Sequence, residues 1–177
     1  MHPKSHYIKL RAKHQPPEIK LIFVLESPPA SGKYFYDPTG KTTEPLFAGL
    51  MKAISEQPAT KEDGLRAFAR KDFFLVDATY KPLNHIRNNK KRNEAILFDL
   101  PELILDLKTT IRNQRVKIVL VKANICRMLE APLKAIGMNV INEGAVIPFP
   151  SSGNQNKFHQ AIQKVFARNK IKLTRTY

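Results

Sequence analysis

Two acids stand where this chain is best placed to do chemistry. Glu26 follows the apolar run Leu21-Ile22-Phe23-Val24-Leu25 and is followed at once by Ser27-Pro28-Pro29. Asp77 closes a second run, Phe73-Phe74-Leu75-Val76. Each run reads as a buried strand, and in open α/β sheets ligands bind at the carboxyl ends of strands. Proline rigidity after Glu26 would fix its carboxylate, to orient a water or to stabilise a cationic transition state. Asp77, on the same rim, could read a substrate by hydrogen bonding, or join Glu26 in binding a metal or in acid–base work. The bland alternatives are a cap or a salt-bridged loop acid for Glu26 and a turn cap for Asp77.

A third run, Val146-Ile147-Pro148-Phe149-Pro150, opens into Ser151-Ser152-Gly153-Asn154. From Gly144 to Tyr177 there are six basic residues and no acid. The whole chain carries 30 Lys+Arg against 15 Asp+Glu, a net charge of +15. That excess favours a polyanionic partner, DNA or RNA. Residues 1–17 carry four basic side chains and no acid, and the stretch 81–92 adds Lys81, Arg87, Lys90, Lys91 and Arg92. No apolar run approaches the ~20 residues of a membrane span, and no signal-peptide pattern opens the chain. A cytoplasmic or nucleoid location and a monomer are expected, without membrane contact. The single Cys126 excludes an internal disulfide and a Cys-rich metal or iron–sulfur site. There is no Walker loop, no Gly-x-Gly-x-x-Gly, no Ser-His-Asp logic and no metal-ligand spacing around His85 or His159. No cofactor or metal is expected.

The elements that must position these residues follow from periodicity. Strands are expected at 19–25, 73–76, 117–121 and 139–148. Helices are expected at 44–57, at 61–70 behind a Thr60 cap, and after a capping box of Asp99 with Glu102. A further helix is capped by Asn124 and interrupted or restarted at Pro132, and a last one carries Phe158, Ile162, Val165 and Phe166. Residues 81–94 read as loop. Alternating strands and helices predict one α/β domain over 19–171 with a mainly parallel sheet. A basic arm over 1–18 precedes it and a tail over 172–177 follows.

These residues resemble the uracil-DNA glycosylase superfamily, nearest its branch with a Gly-Glu-Ala-Pro-Gly first motif. Leu25-Glu26-Ser27-Pro28-Pro29 is similar to that motif, and Glu44-Pro45-Leu46-Phe47-Ala48-Gly49 to the Pro-Phe-Val-Gly segment after it. Phe74-Leu75-Val76-Asp77 with Lys81-Pro82-Leu83-Asn84 is similar to the strand ending in Asn and its later Arg-Pro-Pro. Phe149-Pro150-Ser151 is similar to the His-Pro-Ser motif, with 153–157 as the DNA-inserting loop. The resemblance implies a three-layer αβα sandwich around a four-stranded sheet. It also implies extrusion of a base into a pocket and hydrolysis of its N-glycosidic bond. Glu26 and Ser27 then take catalytic positions, and Phe47, Asp77, Pro28 and Phe149 surround the base. Lys81, Asn84, Lys90, Lys91, Arg92, Ser151, Ser152, Asn154 and Lys157 meet the nucleic acid.

The departures have consequences. Asp77 stands for an Asn, and an ionised carboxylate can only accept hydrogen bonds; it suits a base with an amino donor, such as cytosine or adenine, or no base at all. Phe149 stands for a His that hydrogen-bonds the departing base, a loss worth ~3–4 kcal/mol at such sites. Leu25 stands for a Gly, and the branch's iron–sulfur cysteines are absent. Two rivals remain: a non-catalytic nucleic-acid-binding module on this fold, and a metal-dependent nuclease or phosphoesterase using Glu26 and Asp77.

Overall fold

The structure, a computed structural model, describes residues 2–113 and 115–173. Three short strands form one parallel sheet in the order β2-β1-β3. They are β1 (Leu21–Leu25), β2 (Phe73–Asp77) and β3 (Lys117–Leu120). Parallel strands buried on both faces read as unbroken apolar runs, and every side chain of β1 and β2 is buried. Leu25 lies opposite Asp77, and Val24 opposite Leu120. All three carboxyl ends therefore meet at one edge. Pairing continues past it: Ala78 N donates to Leu25 O (2.7 Å), Thr79 N to Glu26 O (3.1 Å) and Val121 N to Val24 O (2.9 Å).

The fourth strand expected over 139–148 is reduced to a single parallel bridge between Ile118 and Val140. Asn142 explains this. Fully buried, its Oδ1 accepts from Leu120 N (2.7 Å) and its Nδ2 donates to Leu120 O (3.0 Å). A side-chain amide thus satisfies the β3 edge where a strand's backbone would. Glu143 and Gly144, at φ 50° and 78°, then turn the chain away. The protein is an α/β fold with a three-stranded parallel sheet and, among the described residues, seven helices.

Those helices are α1 (Lys4–Ala12), α2 (Pro45–Ala53), α3 (Lys61–Arg70), α4 (Asn89–Phe98), α5 (Leu100–Thr110), α6 (Ala123–Ala135) and α7 (Gln155–Arg168). Among them, α3 and α7 match expectation: Thr60 caps α3 by accepting from Asp63 N, and Phe158, Ile162, Val165 and Phe166 are buried. The stretch read as loop over 81–94 instead enters α4, capped by Asn88. Only Ile96 of α4 is buried, so no apolar stripe announced it. Asp99 does not cap α5 through its side chain; its carboxylate accepts from Thr79 Oγ1 (2.5 Å) and Lys81 Nζ (2.9 Å). Lys122, not Asn124, is the residue before α6, and Pro132 lies inside α6 without ending it.

Within the stretch read as a basic arm, α1 buries Tyr7 and Arg11. The Arg11 guanidinium grips Asp106 through two hydrogen bonds of 2.7 Å and also donates to the Tyr80 hydroxyl. Of the expected tail, residues 174–177 lie outside the described residues; Leu173 O accepts from Lys71 Nζ (2.6 Å). No helix among the described residues is long and apolar enough to cross a membrane.

Two glycines set how closely α2 approaches its neighbours. A Cβ on Gly49 would lie 2.9 Å from Pro150, and one on Gly64 would lie 2.3 Å from the Phe47 ring. Gly64→Ala is expected to lose about 1–2 kcal/mol in urea unfolding. The 2.3 Å approach to the Phe47 ring places the overpacking cost in the upper part of the usual ~1–3 kcal/mol, which outweighs the ~1 kcal/mol gained in helix propensity. A stabilised variant would mean that Phe47 swings aside freely.

Candidate active site

A cavity of about 440 Å³ opens at the carboxyl ends of the strands. That volume suits a small-molecule ligand. Its wall gathers Glu26, Ser27 and Pro28 after β1, Phe47 on α2, and Asp77 at the end of β2. Asn84, Lys122, Phe149 and Ser151 complete the rim. Pairing of β1 with β2 in register brings the two acids to one cavity. Phe47 is almost wholly packed against Phe35 and α3, presenting an apolar wall rather than an open stacking face.

Glu26 is buried and fully engaged. Its Oε2 accepts from Lys122 Nζ and Arg92, and its Oε1 from Asn124 Nδ2 at 2.8 Å. Burial pushes the Glu26 carboxyl up, but Lys122, Asn124 and Arg92 outweigh it and hold it below the usual range. Burial also lowers the Lys122 ammonium, with Glu26 opposing and Arg92 adding to the fall. Lys122 has φ 83°, a left-handed backbone for a non-glycine residue. Such conformations cost ~1–3 kcal/mol and persist where surroundings over-determine them. Here Lys122 N is tied to Ile147 O (2.8 Å) and its Nζ to Glu26.

Asp77 has the opposite character. It is buried, and its Oδ2 has no hydrogen-bond partner. Burial, reinforced by Asp106, raises its pKa to about 7 against the lowering effects of Arg11 and the Tyr34 hydroxyl. Tyr34 Oη, which is buried on the same cavity, makes no hydrogen bond of normal geometry either. Folding stability depends on pH through this group. A carboxyl raised from 3.8 to about 7 contributes stability that is present below 3.8 and lost as pH rises through 7. His14, lowered by burial, acts in the opposite sense as pH falls below its ordinary 6.5. Asp77→Asn isolates the first effect. Its stability relative to wild type is expected to rise by a few kcal/mol between pH 5 and pH 8. Equal differences at both pH values in urea melts would contradict a neutral Asp77.

The remaining predicted residues scatter. Ser27 Oγ accepts from Leu83 N (3.2 Å) and Asn84 Oδ1 from Ala30 N (2.8 Å), so both brace the cavity loops. Arg92 turns inward onto Glu26, and Lys81 is paired with Asp99 beside the Phe98 ring. Lys90 and Lys91 are exposed on the first turn of α4, and Ser152 and Lys157 are exposed around the start of α7. Asn154 is half-buried, its Nδ2 donating to Ser151 Oγ (3.2 Å). Lys122 and Asn124 were missed as site residues. Lys122 and Asn124 directly follow the 117–121 run, the same strand-end signal that singled out Glu26.

Among the described residues no group of three or more His, Cys, Asp or Glu side chains is arranged to hold a metal ion. No protein-family model, curated protein or solved structure matches the chain.

Proposed function

We propose that this chain is a DNA glycosylase-like protein. It binds nucleic acid through its basic surface, takes an extruded nucleotide into the cavity and hydrolyses the N-glycosidic bond. The observation that carries this reading is the divergence of two carboxyl groups on one cavity. Glu26 is held ionised by Lys122, Asn124 and Arg92, while Asp77 is pushed towards its neutral form. Environments that drive two acids apart mark a division of catalytic labour. Glu26 would face the positive charge that develops on the sugar and hold the attacking water, while Asp77 meets the base edge. Lys90, Lys91 and Lys157 would meet phosphates, DNA being the expected polymer and RNA the alternative. On this reading the 139–148 segment is the remnant of a fourth strand in a three-layer αβα glycosylase-like sandwich.

One observation favours a second reading, a non-catalytic nucleic-acid-binding module. Glu26 is shared by two cations, Lys122 and Arg92, which oppose its field at a sugar cation. Phe149 adds no hydrogen-bond donor to the wall. The deciding experiment incubates the protein with labelled single- and double-stranded oligonucleotides carrying varied bases. An abasic product from wild type that is lost in Glu26→Gln supports the glycosylase; tight binding without product on any substrate supports the module.

A further inference from the structure

We infer that Asp77 is the general acid of this reaction, delivering a proton to a ring nitrogen of the departing base, and that the base is an aminopyrimidine or aminopurine of the cytosine or adenine type. The inference rests on the proposed N-glycosidic hydrolysis and goes beyond it by naming the proton donor and the class of base.

Geometry comes first. Asp77 lines the cavity 4 % exposed; its Oδ2 and the Tyr34 hydroxyl on the same wall make no hydrogen bond of normal geometry, although the hydroxyl lies close enough to lower the Asp77 pKa. Buried polar atoms without partners are rare in native structures and ask for an explanation. A ligand edge that both donates and accepts would complete them. The groups whose charges act on Asp77 are Tyr7 and Arg11 of α1, Tyr34 and Tyr36 after β1, Tyr80 after β2, and Asp106 of α5; Lys4, Asp99 and Glu102 share a small second cavity with it, and Glu26, Lys33, Glu44 and Lys122 line the main one. Arg11 is the cation that lowers the Asp77 carboxyl, and its guanidinium is committed to Asp106 and Tyr80. Asp77 therefore keeps a proton up to about pH 7. In that state the carboxyl donates as well as accepts.

The proton on Asp77 favours the base. Phe149, which lines the cavity, has no donor for a base that leaves as an anion, as a uracil-type base does, and Lys122 on the same lining is paired with Glu26, while Lys33, Ser31 and Asn84 also line it. A base that leaves neutral needs no such donor, but it must be protonated as the bond breaks. Cytosine and adenine types carry a ring nitrogen with a free lone pair. In uracil N3 already carries hydrogen and N1 is the bond to the sugar.

The step balances without another reactant. The proton passes from the Asp77 carboxyl to the ring nitrogen as the C1′–N bond breaks. The bonding pair stays with the base, which leaves neutral, and the sugar becomes an oxocarbenium ion beside Glu26. Water adds through oxygen to C1′, and its proton returns through solvent to Asp77. One water and one nucleotide residue give free base and an abasic sugar.

The test uses the full chain with single-stranded oligonucleotides carrying one cytosine, adenine or uracil, from pH 5 to pH 9. Release of cytosine or adenine, and not uracil, is expected, level below pH 7 and falling about tenfold per unit above it. Asp77→Asn is expected to slow release at least about a hundredfold at pH 6 while oligonucleotide affinity stays within about twofold; its fold is checked by the urea melts described above. A rate independent of pH between 6 and 9 overturns the acid role and leaves the glycosylase reading standing. So does preferential release of uracil, or full activity in Asp77→Asn. Release of no base by wild type overturns both.

Discussion

Glu26→Gln is expected to lose excision by about two to four orders of magnitude while nucleic-acid affinity stays level or rises. A positioned carboxylate acting on water supplies gains of that size, and glutamine keeps the shape while losing the charge. The affinity forecast follows from the ionic cluster. Lys122 and Arg92 both lean on the Glu26 Oε2. Removing that negative charge turns a site of net +1 into one of net +2. Both cations become available to phosphates, and each phosphate contact steepens the salt dependence of binding. Excision and gel-shift titrations at two salt concentrations read the two effects separately. Parallel loss of both would mean that Glu26 only holds the loops together. Unchanged excision would remove it from the chemistry.

Lys61→Met is expected to destabilise the fold by about 3 kcal/mol, the largest loss predicted for a residue outside the ionic cluster. Lys61 is wholly buried on the first turn of α3. Its Nζ donates to Tyr34 O (2.6 Å) and to Glu44 Oε2 (2.7 Å). Breaking one side of a buried pair leaves an uncompensated charge, typically ~3–5 kcal/mol. Glu44 retains 12 % exposure and the Lys41 N–H (3.0 Å), which places the expectation at the lower end. The double variant Lys61→Met with Glu44→Gln should recover part of the loss, since replacing a whole buried pair costs less than breaking it. A loss below about 1 kcal/mol in urea melts would show the pair to be solvated. Because Lys61 also anchors the Tyr34 carbonyl, ligand binding at the cavity should weaken in the single variant even where it stays folded.

What the sequence determined by itself was the set of strand ends. Apolar runs bounded by Glu26 and Asp77 are local signals, and parallel pairing needs nothing more to bring both acids to one edge. The apolar spacing of α7 and the Thr60 cap of α3 are equally local and were legible for the same reason. Tertiary structure decided what no local pattern encodes. The mostly polar α4 has no apolar stripe, yet it brings Arg92 onto Glu26 across 66 residues of chain. Asn142 ends the sheet with a side chain standing in for a strand, and Asn124 reaches Glu26 instead of capping α6. The opposite protonation of the two carboxyls also belongs to this level. A pKa is set by burial and by charges that packing gathers from distant segments. Lys122, Asn124 and Arg92 crowd Glu26, while Arg11, the cation that lowers the Asp77 carboxyl, is already held by Asp106. The sequence names both acids, but only the packed chain lowers the pKa of one and raises that of the other.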